Sequence, residues 1–109
     1  MELIVNGIEW KIYFVHPLNS NLITNNGIYT LGMTDNNKKT VFLSDILKGE
    51  LLYNVLCHEL VHVYCFSYNI LLDIEDEERM AQFISDFGKS IIYDTDLLLD
   101  TMFHHKIVL

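Results

Sequence analysis

The chain has 109 residues, half of them hydrophobic and 12% aromatic, with one proline, a composition that excludes a disordered segment and leaves room for one packed domain spanning 1–109. Fifteen acidic side chains against seven basic ones give a formal charge of −8, which disfavours phosphate backbones and anionic membrane surfaces, so neither nucleic acid nor membrane is expected as a direct partner. No apolar run approaches the roughly 18 residues of a membrane span, and the start "MELIVNGIEWKIYFV" lacks the basic lead and unbroken apolar stretch of a signal peptide. A cytoplasmic protein is expected.

In chain order, "ELIVNGIEWKIYFV" reads as two β segments around Asn6-Gly7, because an Asn-Gly pair between β-prone runs favours a tight hairpin turn. "PLNSNLITNNGI" is a surface connection, "YTLGMTD" is β-prone again, and "NNKK" at 36–39 is a hairpin loop into "TVFLSD". Residues 1–45 therefore predict a small antiparallel sheet of three or four strands.

Beyond Ser44 the pattern changes. Ile46, Leu47, Leu51, Leu52, Val55, Leu56, Leu60, Val63 and Tyr64 recur at three- and four-residue intervals, which predicts a lead-in turn, a break at Gly49 and a helix over about 50–68 with a wide apolar stripe. After a polar break near Asn69, "DIEDEERMAQFISDFGKSII" restarts a helix with Asp73 as N-cap, acids in its first turn and Met80, Ala81, Ile84, Phe87 and Ile91 on its inner face. The tail "DTDLLLDTMFHHKIVL" fits either a third helix or a helix ending in a docked or frayed strand. Cys57 and Cys65 lie eight apart on the first helix, about 12 Å along its axis, too far for a disulfide. They are read as reduced thiols, in keeping with a cytosolic compartment.

The chemistry concentrates in "NVLCHELVHVY". His58 and His62 are one helical turn apart, so their rings share a face and can both bind one Zn²⁺ at about 2.0–2.1 Å. Glu59, one residue on, can stand beside the ion without ligating it and take a proton from a water held there. A lone buried histidine is more often a hydrogen-bonded core residue. Two of them around a glutamate, on an amphipathic helix that follows a sheet and precedes a carboxylate-rich helix, favour the metal.

A catalytic zinc takes three protein ligands and leaves a position open. The longer motif, with a glycine and a third histidine on the same segment, would need them at 65 and 68, where Cys65 and Tyr68 stand instead. The second helix offers "EDEER". Glu77 lies three before Met80 and four before Ala81, on the inward face, and is favoured as third ligand, with Glu78 on the more polar side as the alternative. Most of that acidic cluster is a solvated helix start. Cys57 and Cys65 point elsewhere and read as small buried hydrophobes. His104 and His105 in the tail, and Tyr64 or Tyr68 on the first helix, are weaker candidates for a transition-state donor, and His16 carries no signal.

"VLCHELVHVY", followed by "DEERMAQFISDFGKSI" and preceded by "GMTDNNKKTVFLSD", resembles the ImmA/IrrE-type metallopeptidases, especially the short forms of bacteriophages and mobile elements. The resemblance covers roughly residues 27–92. It implies an α+β zincin-like minimal domain, with a small antiparallel sheet packed on the HExxH helix and the helix that follows. It also implies zinc on His58, His62 and Glu77 or Glu78, with Glu59 as general base. The implied substrate is a protein, such as a repressor-type regulator of a phage or mobile element within a bacterial host. The chain departs from longer members in lacking their "EAN-x-FA" wording around the third ligand and any attached partner-recognition domain.

Three readings follow: a zinc metallopeptidase, a non-catalytic zinc-stabilised protein-binding module, and a metal-free fold with a vestigial motif. An open fourth coordination position beside Glu59 favours the first over the second.

Overall fold

The computed structural model describes the backbone of residues 1–108 and the side chains of residues 1–104. It is α+β: strands β1 (Glu2–Val5), β2 (Ile8–Val15), β3 (Gly32–Asp35) and β4 (Thr40–Ser44) precede helices α1 (Gly49–Ser67), α2 (Ile74–Phe83) and α3 (Lys89–Val108).

Asn6 and Gly7 turn the first hairpin with φ of 49° and 76°, the left-handed pair that matches the twist of the flanking strands. Val5 then pairs with Ile8, and Glu2 with Lys11, antiparallel. The expectation of a fully antiparallel sheet fails at the next step. The strand order is β1-β2-β4-β3, and β2 pairs with β4 in parallel, from Lys11↔Thr40 to Val15↔Ser44. The connection 16–31 carries the chain past the neighbouring position, so that β3 forms the edge and β4, returning through the 36–39 hairpin, fills the gap between β2 and β3.

That long connection is held by local bonds. Asn19 Oδ1 accepts from the Asn21 N–H at 2.9 Å and starts a 3-10 turn over Ser20–Leu22, whose Leu22 is fully buried. Thr30 Oγ1 lies 3.0 Å from both the Leu22 and Gly32 carbonyls. As a central strand β4 is buried at every position, which is why "TVFLS" carries no clean two-residue alternation.

Helix α1 begins at Gly49, where φ is +57°, a conformation glycine adopts without penalty. The expected break at Gly49 is this boundary, with a turn before it and the helix after it. Val63, Leu56 and Leu60 join Val5, Trp10, Ile12, Val41, Leu43 and Leu47 in the core between α1 and the sheet. Trp10 is fully buried and donates its indole N–H to Ser67 Oγ at 2.9 Å, while Asn6 Nδ2 donates to the Ser67 carbonyl at 2.9 Å. Covering a tryptophan side chain of about 200 Å² is worth roughly 5 kcal/mol at ~25 cal/mol per Å². The two polar bonds add direction, fixing the rotation of α1 about its axis.

On its other flank α1 packs Val61 and Cys65 against Ala81 and Met80 of α2. Asp73 is the N-cap of α2 in position, although its side chain makes no capping bond. The helix passes through a π-helical turn at Ile84–Gly88 directly into α3, so the tail is helical through Val108 rather than strand-forming. Ser85 Oγ within that turn donates to the Asn54 carbonyl of α1 at 3.0 Å. The inner face expected beyond Ala81 is not covered: Ile84, Phe87 and Ile91 are all exposed. Among the described residues no helix is long and apolar enough to cross a membrane.

Candidate metal centre

With Val63, Leu56 and Leu60 turned to the sheet, the face carrying His58, Glu59 and His62 is left pointing between β3 and α2. A cleft of about 720 Å³ opens there, with His58, Glu59, His62, Glu77 and Glu78 in its lining, edge strand β3 along one wall and α2 along the other. The two imidazoles stand edge to face, ring centroids 5.2 Å apart.

His58 Nε2 lies 2.9 Å from Glu78 Oε2, and His62 Nε2 lies 2.8 Å from Glu78 Oε1. One carboxylate therefore spans both rings, and His58, His62 and Glu78 form a group able to hold a metal ion. Tetrahedral bonds of about 2.0–2.1 Å would set ligand atoms roughly 3.3 Å apart, so each histidine–carboxylate pair would open by about half an ångström to seat an ion such as zinc. Two imidazole nitrogens and a carboxylate oxygen are a donor set that zinc, a borderline cation, takes in catalytic sites.

Glu77 occupies a different place. It is buried, and its Oε2 sits 2.6 Å from His62 Nδ1, on the side of the ring away from Glu78. Its inward position follows the helical phase read from the sequence. The Nε2 atoms, however, face the cleft rather than the interior, and at the cleft they meet the more exposed neighbour, Glu78.

Glu59 is buried at 8% exposure between α1 and β3. Thr34 Oγ1 lies 2.9 Å from Glu59 Oε1, to which it donates, and 3.2 Å from the Glu59 carbonyl. Burial raises the Glu59 pKa above its ordinary value, opposed first by the Thr34 hydroxyl and then by the fields of His62 and His58. The β3 backbone approaches this closely because residue 32 has no side chain: a Cβ there would meet Val55 Cγ1 at 2.9 Å and Glu59 Cγ at 3.0 Å. Neither Gly32 nor Thr34 was singled out from sequence. Their only signal was membership of a β-prone run, and what makes them part of the site is a contact across 25 residues.

The remaining candidates do not join His58, His62 and Glu78. Cys65 is buried against α2, its thiol pKa pushed up by burial and then by the charge of nearby Glu77, and burial likewise raises Cys57. Tyr64 and Tyr68 stack on each other at 6.0 Å and are half exposed outside the cleft. His104 is exposed on α3, 3.7 Å from Asp100. The His105 side chain lies outside the described residues. His16 Nδ1 accepts from the Leu18 N–H at 3.1 Å in a surface turn.

No protein-family model, no curated protein and no solved structure matches the chain. The functional reading therefore rests on the site itself.

Proposed function

We propose that the chain is a zinc-dependent metallopeptidase that hydrolyses a protein or peptide substrate at the cleft between β3 and α2. The observation that carries the reading is the meeting of His58 Nε2, His62 Nε2 and both Glu78 oxygens at the cleft surface, with the Glu59 carboxylate buried beside them. Three protein donors and no fourth among the described residues suit a catalytic rather than a closed structural zinc site.

Zinc held by His58, His62 and Glu78 would supply Lewis acidity to the scissile carbonyl and to the attacking water. Glu59 accepts the proton of that water and hands it to the leaving amine. The Thr34 hydroxyl occupies Oε1 of Glu59 and leaves Oε2 for this exchange. Edge strand β3 has one side unpaired by other strands, and an extended peptide can lie along such an edge. The resemblance to ImmA/IrrE-type enzymes directs the search for a natural substrate toward a repressor-type regulator of a phage or mobile element in the bacterial cytoplasm.

The test has two measurements. Purified protein should take up about one equivalent of zinc, and the zinc-loaded chain should cleave members of a peptide library followed by mass spectrometry. Glu59→Gln should keep the zinc and lose cleavage. Zinc uptake with no cleavage of any peptide by the native chain would favour the protein-binding module, and no uptake at all the vestigial motif.

A further inference from the structure

We propose that Glu77 is a positioning residue of this centre and not one of its ligands: its carboxylate holds His62 from behind, with a proton on Nδ1 and the Nε2 lone pair turned toward His58 and Glu78. The inference rests on the metal reading above and adds to it a residue whose effect passes entirely through another side chain.

The geometry assigns the two adjacent glutamates opposite sides of one ring. Glu77 Oε2 is 2.6 Å from His62 Nδ1 and Glu78 Oε1 is 2.8 Å from His62 Nε2. Consecutive helical residues project about 100° apart, so one of the pair reaches beneath the ring into the α1–α2 interface and the other reaches the cleft. The two lone-pair directions of an imidazole diverge, and an oxygen seated on Nδ1 is turned away from anything bound at Nε2.

A cation bound at Nε2 selects the tautomer. An ionised carboxylate only accepts hydrogen bonds, and a neutral imidazole carries one N–H and one lone pair. A metal seated between Nε2 and Glu78 would take the Nε2 lone pair, which leaves the ring proton on Nδ1, 2.6 Å from Glu77 Oε2, in a charge-assisted hydrogen bond. Both partners are buried, with side chains 9% exposed, so water competes little for the bond. Ala81, fully buried four residues on, lets α2 approach α1 closely enough for a glutamate to reach.

Carboxylates behind ligating histidines are typically worth 10–100-fold in metal affinity. The experiment titrates zinc into the full chain against a chromophoric chelator and records the cobalt(II) d–d spectrum of the same proteins, since that spectrum reports the number and kind of ligands. Glu77→Ala should weaken zinc binding by about 10–100-fold while leaving the band positions and intensity at saturating cobalt unchanged. Glu77→Gln keeps the shape and an acceptor oxygen, guards against a folding failure of the alanine variant, and should fall between it and the native chain. Glu78→Gln should change the cobalt spectrum itself. Native affinity in both Glu77 variants would overturn the inference and leave the metal reading standing. So would a cobalt spectrum altered by Glu77→Gln and untouched by Glu78→Gln, which would make Glu77 the ligand. A native chain that binds neither ion would sink both.

Discussion

Gly32→Ala tests how tightly the site is built. In most strands this substitution is mildly favourable, because alanine loses less backbone freedom than glycine on folding, by about 0.5–1 kcal/mol. Here the new Cβ would lie 2.9 Å from Val55 Cγ1, 3.0 Å from Glu59 Cγ and 3.3 Å from Glu59 Cδ. Neither neighbour yields cheaply: Val55 is β-branched on a helix and close to confined to one rotamer, and Glu59 is fixed at its far end by Thr34. Overpacking of this kind costs about 1–3 kcal/mol, so the clash should outweigh the entropic gain and leave a net loss of about 1–2 kcal/mol. For a chain of this size that is a fall in Tm of about 4–8 °C, measured by thermal unfolding followed by circular dichroism. Val55→Ala removes the nearest obstructing atom, so Gly32→Ala should cost about 1 kcal/mol less in that background, a coupling expected of residues in contact. A Gly32→Ala protein as stable as the native chain, or more so, would refute the close approach of β3 to α1 on which the seating of Glu59 depends.

Thr34→Val keeps the shape of the side chain and removes the donor to Glu59 Oε1; loss of one such bond, about 1–1.5 kcal/mol, should lower peptide turnover roughly tenfold, with Thr34→Ser restoring most of it. Ser67→Ala leaves the Trp10 indole N–H buried without its partner and should destabilise by about 1–3 kcal/mol in urea unfolding, whereas an unchanged midpoint would mean that the bond does not anchor α1. Zinc at 100 times its Kd should stabilise the native chain by about 2.7 kcal/mol and raise its Tm, and His58→Ala should abolish that rise; an equal rise in the variant would put the ion elsewhere.

Much of the site was legible because its central part is local. His58, Glu59 and His62 lie within five consecutive residues of a single helix, and a 100° rotation per residue sets their relation whatever the helix packs against. The α2 start at Asp73–Ile74 and the Asn6-Gly7 hairpin were legible for the same reason. The break at Gly49 was legible too, because a positive φ that glycine adopts without penalty separates the lead-in turn from α1. Ile84, Phe87 and Ile91 looked like a core face by spacing, yet spacing reports only that a face exists and not that anything covers it.

Strands followed by helices, the paired imidazoles on α1 and the carboxylates on the next helix could be read from residue order, because each follows from backbone geometry within about twenty residues. That β4 lies parallel to β2, that Gly32 and Thr34 close on Glu59, and that Glu77 sits behind His62 while Glu78 meets both Nε2 atoms emerged from the folded chain alone. Each of these depends on how one element is rotated and set down against another, and that is settled by contacts between residues distant in the chain, such as Trp10 with Ser67 and Ser85 with Asn54, which no local periodicity encodes.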